Sequence, residues 1–278
     1  MKNCSFFRYQ WHLTLLSALL LFVFLIPLLW MVSTALKSNA EIFSYPPKLI
    51  SLSPDWTIWS QILTDPQISR FFVNSLVVSF GTTCTTLCLS VPCAYGLAHL
   101  PIKGKTLILG VSLSTLVFPA IMTATPLYIV FGKLGMLNTY PALILADTAI
   151  SLPFAIVMLR PSFRSVPKEL AEAAQIDGCG RWRAFWFIIL PLVVPGILTV
   201  GVFTFLAGWG DLLMSLTLTT EDAMMPVTAG LFKYIGNNVS QWNRVMALAT
   251  LQSIPPLLLF LVAQRYVVSG LTEAAVKQ

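Results

Sequence analysis

Charge is scarce in this sequence: Asp, Glu, Lys and Arg make up 10% of its 278 residues, against about 25% in typical soluble domains. So few charges could not cover a globule of this size in water, which excludes a soluble one- or two-domain protein. Histidine is nearly absent. The two present, His12 and His99, sit at the ends of apolar runs, where a polar tip reaching for the membrane surface accounts for them. No Ser/His/Asp or Cys/His arrangement suggests catalysis. The five cysteines are Cys4, Cys84, Cys88, Cys93 and Cys179. Three of them lie in one apolar stretch with no His or acid at ligand spacing, so neither a metal site nor a disulfide framework is implied.

Apolar length is abundant: 56% of the residues are hydrophobic. A membrane-spanning helix needs about 20 mostly apolar residues, and six stretches qualify, roughly 13–35, 71–98, 106–132, 138–159, 184–210 and 245–268. Continuous runs without alternation point to helices, not barrel strands. The first run follows Lys2 and Arg8 and ends in Ser33-Thr34-Ala35, much as a signal peptide does. Its apolar core exceeds the roughly 7–15 residues of such a peptide, so it reads as a retained span. The fold expected is all-α: one polytopic transmembrane domain over 1–278.

The net charge of +6 comes from basic residues in short loops beside apolar runs, which points to membrane orientation and not to nucleic acid. Eleven of the 17 Lys and Arg residues fall in the N-terminus, the 99–105 loop, the 160–183 loop and the C-terminus. That asymmetry puts both termini in the cytoplasm and turns the 36–70 and 211–244 loops outward. Trp56, Trp59 and Trp242 in those loops suit a membrane interface or a partner-facing surface.

Among the loops, 160–183 carries the most pattern. Ser165 is placed to cap a helix and Pro167 to occupy its first turn. Lys168 to Ile176 is rich in helix formers, and Gly178 and Gly180 end it, one of them as a left-handed cap. Leu170, Ala173, Ala174 and Asp177 recur on one narrow face, flanked by Glu169 and Glu172. A short helix with such a face either docks into a groove of a partner or connects two spans and packs on their ends.

Two acids in or near the spans are candidates for a substrate pathway. Asp147 lies within the fourth run, where a charge is costly and functional by default. It could bond hydroxyls in a pathway or carry protons, or else be satisfied by Thr148, Ser151 or a partner chain. Asp211, at the outer end of the fifth run, could line a vestibule or simply be solvated at the interface. Gly104-Lys105-Thr106 looks like the end of a phosphate-binding loop, but His99 stands where its first glycine belongs and no strand precedes it.

Glu172-Ala173-Ala174, Asp177-Gly178 and Ile189-Leu190-Pro191-Leu192 together resemble the E-A-A…G…I-x-L-P pattern of permease subunits of ABC importers. The spacing and the place before the penultimate span agree. Glu273-Ala274-Ala275, by contrast, repeats only three residues of it. The resemblance runs from about Trp11 to Gln278 and is strongest to carbohydrate-uptake permeases of the maltose and glycerol-phosphate type. Leu152-Pro153-Phe154, Phe203-Thr204-Phe205, Trp209-Gly210-Asp211 and the tail from Gln264 to Thr272 carry it further. Asp147, and Gly210-Asp211 in place of an Asn-Glu-like pair, depart from the pattern.

The resemblance implies a transport subunit and no enzyme, in a bacterial or archaeal plasma membrane. It implies a sister permease completing a heterodimer, two cytoplasmic ABC ATPases and an extracytoplasmic solute-binding protein. No cofactor belongs to this chain; ATP and Mg sit in the ATPase. Glu169, Leu170, Glu172, Ala173, Ala174, Asp177 and Gly178 form the implied coupling site, and a sugar or related polyol the implied substrate. The competing reading is a secondary transporter or channel without an ATPase. It calls for inverted repeats and several charges within spans, whereas Asp147 is the only acid in the runs and no repeat is evident. A membrane-embedded enzyme would need clustered polar or metal-binding residues near one interface.

Overall fold

A computed structural model describes residues 3–51, 53–237 and 241–275; the side chains of 3–10, 237 and 265–275 lie outside the description. Every regular element among the described residues is helical. Lipid offers no hydrogen bonds to a bare backbone, so a helix, which satisfies its own N–H and C=O groups, is the economical way for an apolar segment to cross. Along the chain the helices are α1 (Asn3–Ala35), α2 (Asn39–Ile42), α3 (Thr57–Thr64), α4 (Pro66–His99), α5 (Lys105–Val117), α6 (Ile121–Lys133) and α7 (Tyr140–Arg164). There follow α8 (Lys168–Ile176), α9 (Arg181–Ala184), α10 (Leu190–Gly210), α11 (Leu213–Leu218), α12 (Val227–Asn237) and α13 (Trp242–Ala275).

Five helical segments are long and apolar enough to cross a bilayer: Trp11–Ala35, Pro66–His99, Tyr140–Arg164, Arg181–Gly210 and Trp242–Gln264. The third expected span is not one straight helix. Residues 105–117 and 121–133 form two helices meeting at 101°. The cause is Pro119: it has no N–H to give, and it forces the residue before it out of the helical region. Phe118 accordingly sits at φ −68°, ψ 129°. The pair counts as a sixth span only as a broken one.

The chain divides into two compact units, residues 1–65 with 231–254, and residues 66–230 with 255–278. In the first, α1 is apolar on every side and exposes its large side chains from Trp11 to Trp30, as a helix surrounded by lipid does. Where it ends, the Lys37 ammonium lies 4.3 Å from the centre of the Trp30 ring. A capping box between Ser38 and Glu41 then starts α2.

The second unit is built on α4, which packs along α7 and α10, with α5 against α7 and α11 against α6. Small residues set these crossings. A side chain at Gly208 would meet the Ser79 backbone at 3.3 Å, and one at Gly196 would collide with Ser162; close backbone approach of this kind is how helices pack where lipid competes for apolar surface. One core cluster, including Leu159, Phe163, Phe185 and Ile189, fills the end of the unit beneath α8. Another, including Val78, Leu143, Met214 and Leu218, fills the opposite end.

Candidate functional site

The α8 helix occupies the expected span, Lys168–Ile176, but begins differently. Ser165 ends α7 instead of capping α8, its hydroxyl donating to the Ser162 carbonyl at 2.8 Å. Pro167 takes the N-cap position without a side-chain cap. Its fixed φ lets it leave the turn at Ser165 and enter the helix without a donor to satisfy. The far end closes with a full Schellman motif. The Cys179 N–H donates to the Ala174 carbonyl at 2.8 Å and the Gly178 N–H to the Gln175 carbonyl at 3.1 Å. Gly178 is left-handed at φ +81°, which explains the glycine at that position.

The exposed face of α8 is narrower than the sequence pattern. Ala174 is only 7% exposed and Ala171 packs on the Phe163 and Phe185 cluster. Those two positions, three apart, are the inward edge that seats α8 on its own bundle. Leu170, Ala173 and Ile176 remain outside together with Glu169, Glu172, Asp177 and Gly178, and Ile176 is 86% exposed. The connector reading holds for one edge, which packs on the chain's own helix ends, and the remaining face is exposed.

Directly after α9 the chain runs through one π-helical turn, Phe185–Ile189, into α10. Pro191 lies in the first turn of α10 and cannot donate to the preceding turn. A wider turn just before it absorbs the mismatch. The short segment 181–184 and the long α10 thus form one span, Arg181–Gly210, whose base contacts α8.

Asp147 and Asp211 are brought together at the other end of the unit. Asp147 is 5% exposed, on α7 where α4 and α10 meet. Its Oδ2 lies 3.7 Å from the point a side chain at Gly208 would occupy, and Ser79 Oγ is equally near that point. The charge acting on it is that of Asp211, of the same sign. Asp211 also has a structural role at the start of α11. It accepts the Ser215 N–H at 2.9 Å, and the N–H groups of Leu213 and Met214 bond it as well. Burial nonetheless holds the Asp211 carboxyl above its ordinary range, and these N–H groups offset only part of that.

Sequence reasoning passed over the polar face of α4. Ser75, Ser79, Thr82, Thr86 and Ser90 are all buried. Their spacing of three and four residues in an otherwise apolar run was the available signal. The hydroxyls of Ser79, Thr82, Thr86, Ser90 and, on α7, Thr148 have no hydrogen-bond partner among the described residues. Asn74, at the same face, was missed too. It donates to the Ala223 and Met225 carbonyls at 3.0 and 2.9 Å and accepts the Tyr140 hydroxyl at 2.7 Å. Nearby, Ser75 Oγ accepts the Val227 N–H at 2.7 Å. These bonds fasten the 219–227 segment, expected as a loop facing outward, back onto α4.

Residues 86–273 match the family described as binding-protein-dependent transport system inner membrane component. The chain belongs to that family. It is an integral, multi-pass protein of the inner membrane, and a transport subunit. It is 36% identical to a probable ABC transporter permease protein, y4oR, of Sinorhizobium fredii, over 95% of this chain and 94% of that one. It is 33% identical to the sulfoquinovosyl glycerol transport system permease protein SmoH of Agrobacterium fabrum, over 94% of this chain and 92% of the relative. With the trehalose transport system permease protein SugB of Mycobacterium tuberculosis it shares 32% over 91% of this chain and 92% of that one. The fold agrees with the crystal structure of a bacterial ABC transporter that imports the acidic polysaccharide alginate. The TM-score is 0.79 at 21% identity, covering 96% of this chain and 99% of that one.

Proposed function

We propose that this permease forms half of the translocation pathway of an ATP-driven importer for a sugar or related polyol, and that α8 is the element through which a separate ATPase drives it. The observation that carries the reading is the divided surface of α8. Ala171 and Ala174 seat it at the base of the Arg181–Gly210 span, while Leu170, Ala173 and Ile176 are left exposed among the described residues. Such a helix transmits force: what presses on the outer face moves the span it is seated on.

In this reading Glu169, Leu170, Glu172, Ala173 and Asp177 meet the ATPase, with the carboxylates facing basic groups of that partner. Ala174 holds the seat and Gly178 ends the helix at the right length. ATP and Mg bind in the ATPase, and two copies serve the complex from the cytoplasm, where both termini of this chain also lie. A sister permease supplies the other half of the pathway, and an extracytoplasmic solute-binding protein delivers the substrate. Nucleotide switches access only in so far as it binds the two states with different affinity. The sugar class is supported by the names of the relatives, which concern sulfoquinovosyl glycerol, trehalose, diacetylchitobiose and alpha-glucoside.

Asp147, with Asp211 beside it, is the polar point of the pathway in this proposal. A carboxyl group buried within a span is expensive to keep for packing alone. It is suited to bonding substrate hydroxyls once the helices part. Co-purification in mild detergent tests the scheme. The wild type should bring down an ATPase and a second permease, and the Glu172→Lys, Gly178→Asp double variant should lose the ATPase alone. Wild type that purifies by itself and moves solute in liposomes without ATP would overturn it in favour of a secondary transporter.

A further inference from the structure

At the α8 end of the second unit, a cavity of about 360 Å³ lies between α4, α5, α7 and the start of α8. Its size falls in the range of about 300–1,000 Å³ typical of small-ligand sites. Four basic side chains line it: Lys105 at the start of α5, Arg160 and Arg164 from the last turns of α7, and Lys168, the first residue of α8. His99 closes one wall, its Nε2–H donating to the Phe163 carbonyl at 2.8 Å. No acid lines the cavity; Glu169, Glu172 and Asp177 of the same segment lie outside it.

The excess of positive residues at this end of the bundle has an ordinary cause in membrane orientation. Orientation accounts for how many cations a loop holds, but not for cations from three helices converging on one hollow. Nor are their charges answered. Among the described residues none of the four forms an ion pair, and Arg160 Nε is buried with no hydrogen-bond partner. Like charges gathered without a counter-ion repel one another, most strongly where water is excluded. A dehydrated guanidinium N–H left unbonded adds to that cost.

An anion with several acceptor oxygens removes both costs, and two arginines one turn apart at the end of α7 offer the fork geometry that phosphate oxygens fit. We propose that this cavity binds a phosphate-bearing anion, which ties Arg160 and Arg164 of α7 to Lys168 of α8 and so stiffens the corner from which α8 projects. Two sources carry that chemistry: the headgroup of an acidic phospholipid reaching in from the adjacent leaflet, and a soluble phosphoryl compound. Basic hollows between membrane helices are established settings for the first.

The full-length protein, purified in an uncharged detergent, would be titrated with two probes while its thermal midpoint is followed. The probes are a short-chain phosphatidylglycerol, with phosphatidylcholine of the same chain length as its control, and inorganic pyrophosphate. Saturable stabilisation by phosphatidylglycerol but not phosphatidylcholine supports the site with a lipid headgroup as occupant; stabilisation by pyrophosphate supports it with a soluble one. In either case Arg160→Gln/Arg164→Gln should raise the half-saturating concentration at least tenfold. Arg181→Gln/Arg183→Gln, which removes two exposed cations outside the cavity, should leave it unchanged. If the first pair fails to fold, the exposed Lys168→Gln takes its place, with a weaker but measurable rise. Absence of stabilisation by either probe in the wild type, or equal responses from the cavity and control variants, overturns the proposal.

Discussion

Gly178 stands at φ +81° with open space where a side chain would go, so its identity is dictated by backbone geometry and not by crowding. A left-handed backbone costs a residue with a Cβ about 1–2 kcal/mol, while Asn tolerates it better than most. Gly178→Ala should therefore unravel the end of α8 and lower ATP-dependent uptake, and Gly178→Asn should retain more of it. Equal loss in both variants would mean that the glycine serves contact with a partner instead. Asn74 makes the opposite case, since its side chain supplies every bond. Asn74→Ala frees two carbonyls and the Tyr140 hydroxyl. Each buried group left unbonded costs about 1–3 kcal/mol, so the thermal midpoint of the purified protein should fall by several degrees. An unchanged midpoint would show that water replaces the amide without loss. Asp147→Asn keeps size and polarity while removing the charge. Uptake should drop while folding, read by the same midpoint, holds or improves, because a buried amide does not carry the desolvation cost of a buried charge.

The helices themselves were legible in the sequence wherever apolar length and propensity acted alone. Lys168–Ile176 was readable to the residue, and so was the stop at Gly178, because helix formers, a closing glycine and the absence of β-branched residues before Ile176 all pointed one way. What escaped was set by contacts distant in sequence. Ala173 and Ala174 are chemically the same residue, and only the seating of the helix on the bundle decides that Ala174 is buried and Ala173 exposed. Similarly, Ser165 has the chemistry of a cap, yet Pro167 moves the helix start past it. Pro119 stood in a run long enough to span, and apolar length alone hid that the run breaks there into two helices meeting at 101°. The two alanines now give a paired test. Ala174→Leu should wedge α8 off its seat and lower the thermal midpoint. Ala173→Leu should leave stability within about 0.5 kcal/mol, as surface changes do, and still reduce ATPase recovery on co-purification. If Ala173→Leu retains the ATPase fully, the exposed face is not the docking face.

At the scale of the whole molecule, the proposed function makes the second unit a lever with a polar seam. The α8 end carries a compact apolar cluster and an exposed helix, and the other end carries Asp147, Asp211 and the tether through Asn74. Between them run the buried hydroxyls of α4 that have no hydrogen-bond partner among the described residues. Groups of that kind favour any motion that lets them reach water or substrate, because leaving them dry costs free energy. Family membership places this chain among the membrane components of binding-protein-dependent transport systems, while the role proposed for α8 rests on its geometry. Cross-linking tests that role most directly. In a cysteine-free version of the permease, expressed with its ATPase, Ala173→Cys and Ala174→Cys would each be labelled with a thiol-linked photoactivatable cross-linker, which needs no particular side chain on the partner. The account predicts a cross-link to the ATPase from position 173, weakened or strengthened by nucleotide, and little or none from position 174. A cross-link from 174 and none from 173, or none from either while ATP-driven uptake persists, would contradict it.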